Sequence, residues 1–277
     1  MNVGLVADST SDLPEDLIEK YNIKVIPAII NIGDQSYEDG KILSRKAFYD
    51  LLPTLKQPPT TATPSVGRFE STYQNLFSSG KEYILSFHPP SNLSGLFNAA
   101  RLAAEGFDDR VQVLDSGQLS MGIGFQVLAA AEAISKGKGL TEVLQIIAGI
   151  RQKVRVQALL DTMLYLRRSG RVSWAKAVVG SLLNLKPMID LRFGMLRRIG
   201  QTRTRNQGIL RLKQNLQKQE PLERLAVLHT NAENDAMKFL EDLQLKLPNP
   251  PIIVNVTTVI GTHVGPNGLG WALVPLT

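Results

Sequence analysis

Short strings of hydroxyl side chains mark this 277-residue chain as one that could close around an anion. Asp8-Ser9-Thr10-Ser11-Asp12 ends an apolar run. Pro59-Thr60-Thr61-Ala62-Thr63-Pro64-Ser65 combines neutral donors with prolines that stiffen the backbone. Pro90-Ser91-Asn92-Leu93-Ser94-Gly95 leads into a helical pattern, where hydroxyls and free backbone amides together make an anion cradle. A glycine-rich stretch, Ile260 to Gly270, surrounds His263, and so many glycines suit backbone lying close to a ligand. Each string also has a plain structural explanation as a set of caps and turns; the recurrence of two such strings after neighbouring elements is what caps alone leave unexplained. An aspartyl-phosphate mechanism needs a second aspartate at position 10, where Thr10 stands. The stretch after Gly95 lacks the Gly-Lys-Ser/Thr ending of a nucleotide phosphate loop.

The elements that must position these strings alternate in type. Val3 to Ala7, Lys24 to Ile32, Tyr83 to Phe87 and Val111 to Asp115 read as strands. Between them, helices are predicted from a cap at Asp12 with Pro14 and Glu15 in the first turn, from Ser44 to Leu52, from Val66 to Phe77 and from Gly95 to Glu105. Gly124 to Ser135 is an apolar helix. Strands separated by helices predict a parallel sheet with helices on both faces. Helices are expected over Leu140 to Arg155 and Thr162 to Arg168, with strands over Met195 to Ile199, Leu225 to His229, Ile252 to Thr258 and Gly270 to Leu276. The pattern changes near Ile150, which predicts an N-terminal α/β/α domain over 1–150 and a C-terminal α/β domain with a mixed sheet over 151–277.

Charge is unevenly spread. The net +6 conceals a middle segment, Arg151 to Arg224, with 17 Lys and Arg against 4 Asp and Glu. Arginine dominates it, and arginine suits bidentate contact with phosphate or carboxylate. No aromatic–basic alternation accompanies the charge, so a protein partner or phosphorylated ligand is preferred over nucleic acid. In Tyr165-Leu166-Arg167-Arg168-Ser169-Gly170-Arg171-Val172, Arg167 and Arg168 suit a helix C-terminus, whereas Arg171 lies beyond the Gly170 cap. The absence of cysteine excludes disulfides and thiolate chemistry, and three scattered histidines do not suggest zinc. No signal-peptide pattern or membrane-length apolar run is read, so a cytoplasmic location with no membrane span is expected.

Taken together, these blocks resemble the DegV family. The resemblance rests on Asp8 to Leu13; on Pro59 to Ser65, where Ala62 and Thr63 depart from its pattern; and on Pro90 to Phe97, where Pro90, Leu96 and Phe97 depart. It continues through Tyr165 to Val172, Leu182 to Pro187 and Val256 to Gly268, with Asn267 in place of a glycine. Six blocks in the same order are more specific than any one. The resemblance implies two domains with one long-chain fatty acid in a tunnel. Thr61, Ser94 and His263 would surround its carboxylate, with Thr60, Gly95 and Arg171 beside them. It also implies a role as the binding subunit of a fatty acid kinase, in which a separate subunit supplies ATP; Arg203 and Arg205 would face that partner or the phosphate it transfers. No cofactor and no nucleic acid are expected.

Physical chemistry agrees with a carrier. A fatty acid needs an apolar cavity and a few donors at one end, because a buried carboxylate without partners is costly. Other readings stay open at this point: a stand-alone hydrolase or transferase using His263 with Ser94 or Asp8, the substrate-binding half of a dihydroxyacetone-type kinase, and a nucleic-acid-binding regulator, suggested only by the basic middle.

Overall fold

The computed structural model describes residues 2–177 and 185–276; Leu182, Leu183 and Asn184 of one motif lie outside them. The first half runs β1 (Val3–Asp8), α1 (Glu15–Lys20), β2 (Lys24–Ile26), β3 (Ile29–Ile32), β4 (Gln35–Glu38), α2 (Arg45–Leu51), β5 (Thr60–Ala62), α3 (Val66–Ser78), β6 (Tyr83–His88), α4 (Leu96–Ala104), β7 (Val111–Asp115), α5 (Met121–Ser135) and α6 (Leu140–Lys153). β1 is buried along its whole length, as a near-continuous apolar run demands when both faces of a parallel sheet are covered. The parallel sheet has the order β2-β1-β6-β7. On one face α3 and α4 pack Phe69, Tyr73 and Ala100 against Val6 and Ile84. On the other, α5 packs Ile123 and Val127 against Leu5 and Phe87.

The second half runs β8 (Arg155–Leu159), α7 (Leu164–Ser169), α8 (Ser173–Lys176), β9 (Lys186–Arg192), β10 (Met195–Thr202), α9 (Arg205–Gln217), β11 (Leu222–His229), α10 (Glu233–Glu241), β12 (Ile252–Asn255), α11 (Thr258–Val264) and β13 (Leu269–Pro275). Its mixed sheet has the order β10-β9-β8-β13-β11-β12, with only β11 and β12 parallel. The fold class is therefore the α/β arrangement expected, a parallel sheet with helices on both faces followed by a mixed one. α5 explains its own composition: apolar all round, it lies between the sheets and also meets Ala226, Leu228 and Ala272.

Several expectations need correction. Lys24 to Ile32 is two strands in different sheets, because Pro27 has no N–H to continue the first ladder. Pro59 to Ser65 contains β5, which joins β3 and β4 in a small antiparallel sheet. The helix expected to Arg155 stops at Lys153, and β8 follows at once. Asp12 does not cap α1, whose N-cap is Pro14; it turns back in a left-handed conformation (φ 54°). The first part of the glycine-rich stretch is helical, since Ile260 to Val264 belong to α11.

Buried polar groups from the first half hold the start of α11. Asp12 accepts from the Thr257 amide at 2.8 Å and Ser120 Oγ at 2.6 Å, and pairs with Arg45 Nη1 at 2.9 Å. Asp39 accepts from the Thr258 amide at 3.2 Å, from Thr258 Oγ1 at 2.6 Å and from the Thr257 hydroxyl. Tyr49 donates its hydroxyl to the Val256 carbonyl at 2.8 Å, and Arg45 donates to the Asn255 carbonyl. Removing one partner of a buried ion pair typically costs about 3–5 kcal/mol, so this seam fixes where α11 lies.

Candidate functional site

β5 alternates its side chains. Thr61 faces the cavity, while the Thr60 hydroxyl accepts from Asn31 Nδ2 at 3.4 Å on the exposed side. α11 leaves the seam and carries His263 in its last turn, where Nε2 lies 3.2 Å from Thr61 Oγ1. Ser94 precedes α4; its Oγ accepts from the Leu96 amide at 3.3 Å, which leaves its own proton free. Gly170 closes α7 in a left-handed conformation (φ 68°) and so turns Arg171 back toward the first half. There Arg171 Nε donates to the Leu93 carbonyl at 3.3 Å and Nη1 to the Ser169 carbonyl at 3.0 Å.

Thr61, Ser94, Arg171 and His263 therefore line one cavity. Its remaining wall is mostly apolar and comes largely from the second half, through Val156, Ile189, Leu191, Leu196, Leu228 and Val264. It has room for the centres of water-sized atoms over about 150 Å³. Burial, reinforced by the charge of Arg171, pushes the His263 imidazole down to about 4, so the ring is neutral at pH 7. Its Nδ1 is buried without a partner. A neutral imidazole and a threonine hydroxyl bring two protons between them and use one in their mutual hydrogen bond. One donor therefore stays unused: the Thr61 hydroxyl if Nε2 carries the ring proton, and Nδ1–H if it does not. With Ser94 and the Arg171 charge, the cluster can meet a carboxylate through charge-assisted hydrogen bonds.

The other predicted residues stand elsewhere. Gly95 does not line the cavity; it opens α4, packed so tightly that a Cβ there would stand 2.8 Å from Thr63 Oγ1. Arg203 is exposed in the turn between β10 and α9. Arg205 is engaged within the chain, paired with Asp235 at 2.6 Å and donating to the Asn267 carbonyl. Asp8 does not reach His263. It is fully buried and bonded to His88, with Oδ2 2.7 Å from Nδ1, and its other oxygen accepts from the Thr10 amide at 2.9 Å. His88 Nε2 in turn lies 2.7 Å from Ser86 Oγ, which accepts from the Tyr73 hydroxyl at 2.9 Å. Aspartate, histidine and serine follow the order of a hydrolase triad, but all three are fully buried and away from the cavity. Thr10 and Ser120 also line the cavity. Ser120 was not anticipated, because its exposure to the cavity depends on a positive φ (53°) before α5 that its residue type does not announce.

Among the described residues no helix is long and apolar enough to cross a membrane. Comparison with known proteins places likeness along the whole chain. A model of the DegV family, described as uncharacterised proteins, matches residues 2–276. Protein DegV of Bacillus subtilis is 33% identical over 280 residues, covering 98% of each chain. Among solved structures, a DegV family protein from Thermus thermophilus, described by its fatty acid binding, superposes with a TM-score of 0.91 at 29% identity over 100% of both chains. The structure of DegV from Bacillus subtilis, described as a fatty acid binding protein, superposes with a TM-score of 0.87 at 29% identity over 99% of both chains.

Proposed function

The chain belongs to the DegV family, and from that premise we propose that it binds a single long-chain fatty acid with the carboxylate at the junction of its two halves. The observation that carries this reading is the grouping of Thr61, Ser94, His263 and Arg171 on the wall of an otherwise apolar cavity. An aliphatic chain suits the apolar wall, and a carboxylate suits the three neutral donors and the nearby cation. The acyl chain extends along Val156, Ile189 and Leu191 of the mixed sheet, and the carboxylate meets Thr61 and His263, with Thr60 and Gly95 holding the surrounding backbone. The division of the halves near residue 150 belongs to the same proposal. It is supported by the passage there from α6 to β8, the first strand in sequence of the second sheet.

The protein acts as a carrier and presents the acid to a separate kinase subunit, which forms the acyl phosphate. Support comes from the site itself, since His263 has Thr61 as its polar neighbour and Asp8 is bonded to His88. Its setting is the cytoplasm. Native mass spectrometry of protein purified from cells tests the ligand class, with one retained mass of a fatty acid per chain as the expected result. Extraction that yields no lipid, together with no binding of a fluorescent fatty acid at micromolar protein, would overturn it. Incubation with ATP and fatty acid, with and without a candidate kinase, tests the carrier role, and turnover by the chain alone would refute it.

A further inference from the structure

Away from the cavity, two arginines meet on the opposite face of the mixed sheet. β8 and β9 are antiparallel with Val156 opposite Leu191, so the next step of the register sets Arg155 beside Arg192. Val156 and Leu191 face the cavity, and strand alternation turns both arginines to the other side. Like charges directly opposite on a sheet destabilise it. The two side chains are half-buried, and both Nε atoms are buried without partners. Among the described residues neither forms an ion pair. The nearby Asp190 carboxylate accepts from Gln157 Nε2 at 3.0 Å, and Gln157 is itself held by Asn215 at 3.1 Å. Arg192 lies over the Phe193 ring, 5.1 Å from its centre. Burial and the charge of Arg192 hold Arg155 below its ordinary range, against the weaker opposing pull of the Asp190 carboxylate.

We propose that Arg155 and Arg192 form a binding site for a phosphate dianion, either free or as the end group of a phosphomonoester. Residues directly opposite on an antiparallel pair have Cβ atoms about 4.5–5.5 Å apart, so two guanidiniums rooted there present two planar forks, and a tetrahedral dianion has enough oxygen edges to serve both. A carboxylate has one edge and one charge, and would leave the second arginine uncompensated. The net positive charge of the Arg151 to Arg224 segment raises the local concentration of anions around the pair. This site does not depend on the fatty acid reading.

Thermal unfolding in millimolar phosphate, against sodium chloride at the same ionic strength, tests it. The wild-type midpoint should rise by about 2–4 °C in phosphate, and Arg155→Gln and Arg192→Gln should each lose that rise. Without phosphate, either variant should melt no lower than the wild type, because the repulsion is relieved. Broadening of the phosphorus resonance by wild-type protein, reversed by sulfate, gives a reading that does not require the variants to fold. A matching rise with methyl phosphate would assign the end group of an ester, and a rise with inorganic phosphate alone would assign the free ion. No phosphate-specific rise and no broadening in the wild type, or an undiminished rise in both variants, would overturn the site.

Discussion

Ser94 and Thr61 each offer a hydroxyl to the cavity, so their loss should be felt in affinity before stability. Each charge-assisted hydrogen bond contributes about 1.5–3 kcal/mol, so Ser94→Ala and Thr61→Ala should each weaken fatty acid binding about 10- to 100-fold, with unchanged circular dichroism. Unaltered titrations in both variants and in the double variant would remove these residues from the site. His263 adds a pH dependence. Its pKa is lowered from 6.5 to about 4, so between those values the unfolded chain binds a proton that the folded chain refuses. The stabilising contribution is complete above pH 6.5 and lost as pH falls toward 4, on the order of 3 kcal/mol. Asp12 acts in the opposite sense. Burial raises its carboxyl to about 6 against the pull of Arg45, Ser120 and the Thr257 amide, so its contribution is present below pH 3.8 and lost as pH rises through 6. The two trends partly cancel in the wild type. The difference between wild type and His263→Gln isolates the histidine, and the melting midpoint of His263→Gln should fall less steeply between pH 6.5 and 4. Parallel curves would show that the ring is not held neutral by its surroundings.

At the scale of elements, α11 is a seven-residue helix whose position is imposed from outside. Asp39 and Asp12 hold its start, and Gly261 lets it lie against Tyr49, where a Cβ would stand 2.4 Å from the tyrosine oxygen. That oxygen cannot easily retreat, because it is buried and bonded to the Val256 carbonyl. Gly261→Ala should therefore cost about 1–3 kcal/mol in urea unfolding, as overpacking does. It should also weaken fatty acid binding, since displacing α11 moves His263 away from Thr61. Full stability together with full affinity would mean that the seam yields more readily than its hydrogen bonds imply.

At the scale of the molecule, the two sheets share α5, and the cavity takes residues from both halves. The arginines that the sequence grouped together behave as separate parts. Arg205 is tied to Asp235 and to the backbone of Asn267, so Arg205→Ala should lower the melting midpoint by a few degrees. Arg203 is exposed, so Arg203→Ala should spare both stability and fatty acid affinity while slowing acyl phosphate formation by the proposed kinase subunit. Added salt should mimic that defect in the wild type, because exposed charge is screened over about 8 Å at physiological ionic strength. Normal phosphorylation in Arg203→Ala at low and high salt would make this arginine an unengaged surface charge.

The sequence by itself determined what short-range physics controls. The buried apolar run of β1, the Ser44 cap of α2, the alternation of strands and helices and the Gly170 stop after α7 were all readable, because each depends on neighbours within a few positions. So were the hydroxyls and the histidine of the cavity, as residue types in ordered blocks. Tertiary structure alone decided how they are used. α11 is hidden in a glycine-rich stretch, where Gly261 and the glycines after it look unhelical, and Asp39, which holds its start, stands 219 positions from Thr258. Thr61 meets His263 across 202 positions. Thr60 and Thr61 are indistinguishable as letters, and strand alternation sends one to Asn31 and the other to the cavity. Asp8 and Arg205 offered the same charges on paper as any free carboxylate or guanidinium, and packing had already given each a partner. A hydroxyl or a charge is a local property, but whether its hydrogen bonds are free for a ligand depends on which distant segment folds against it.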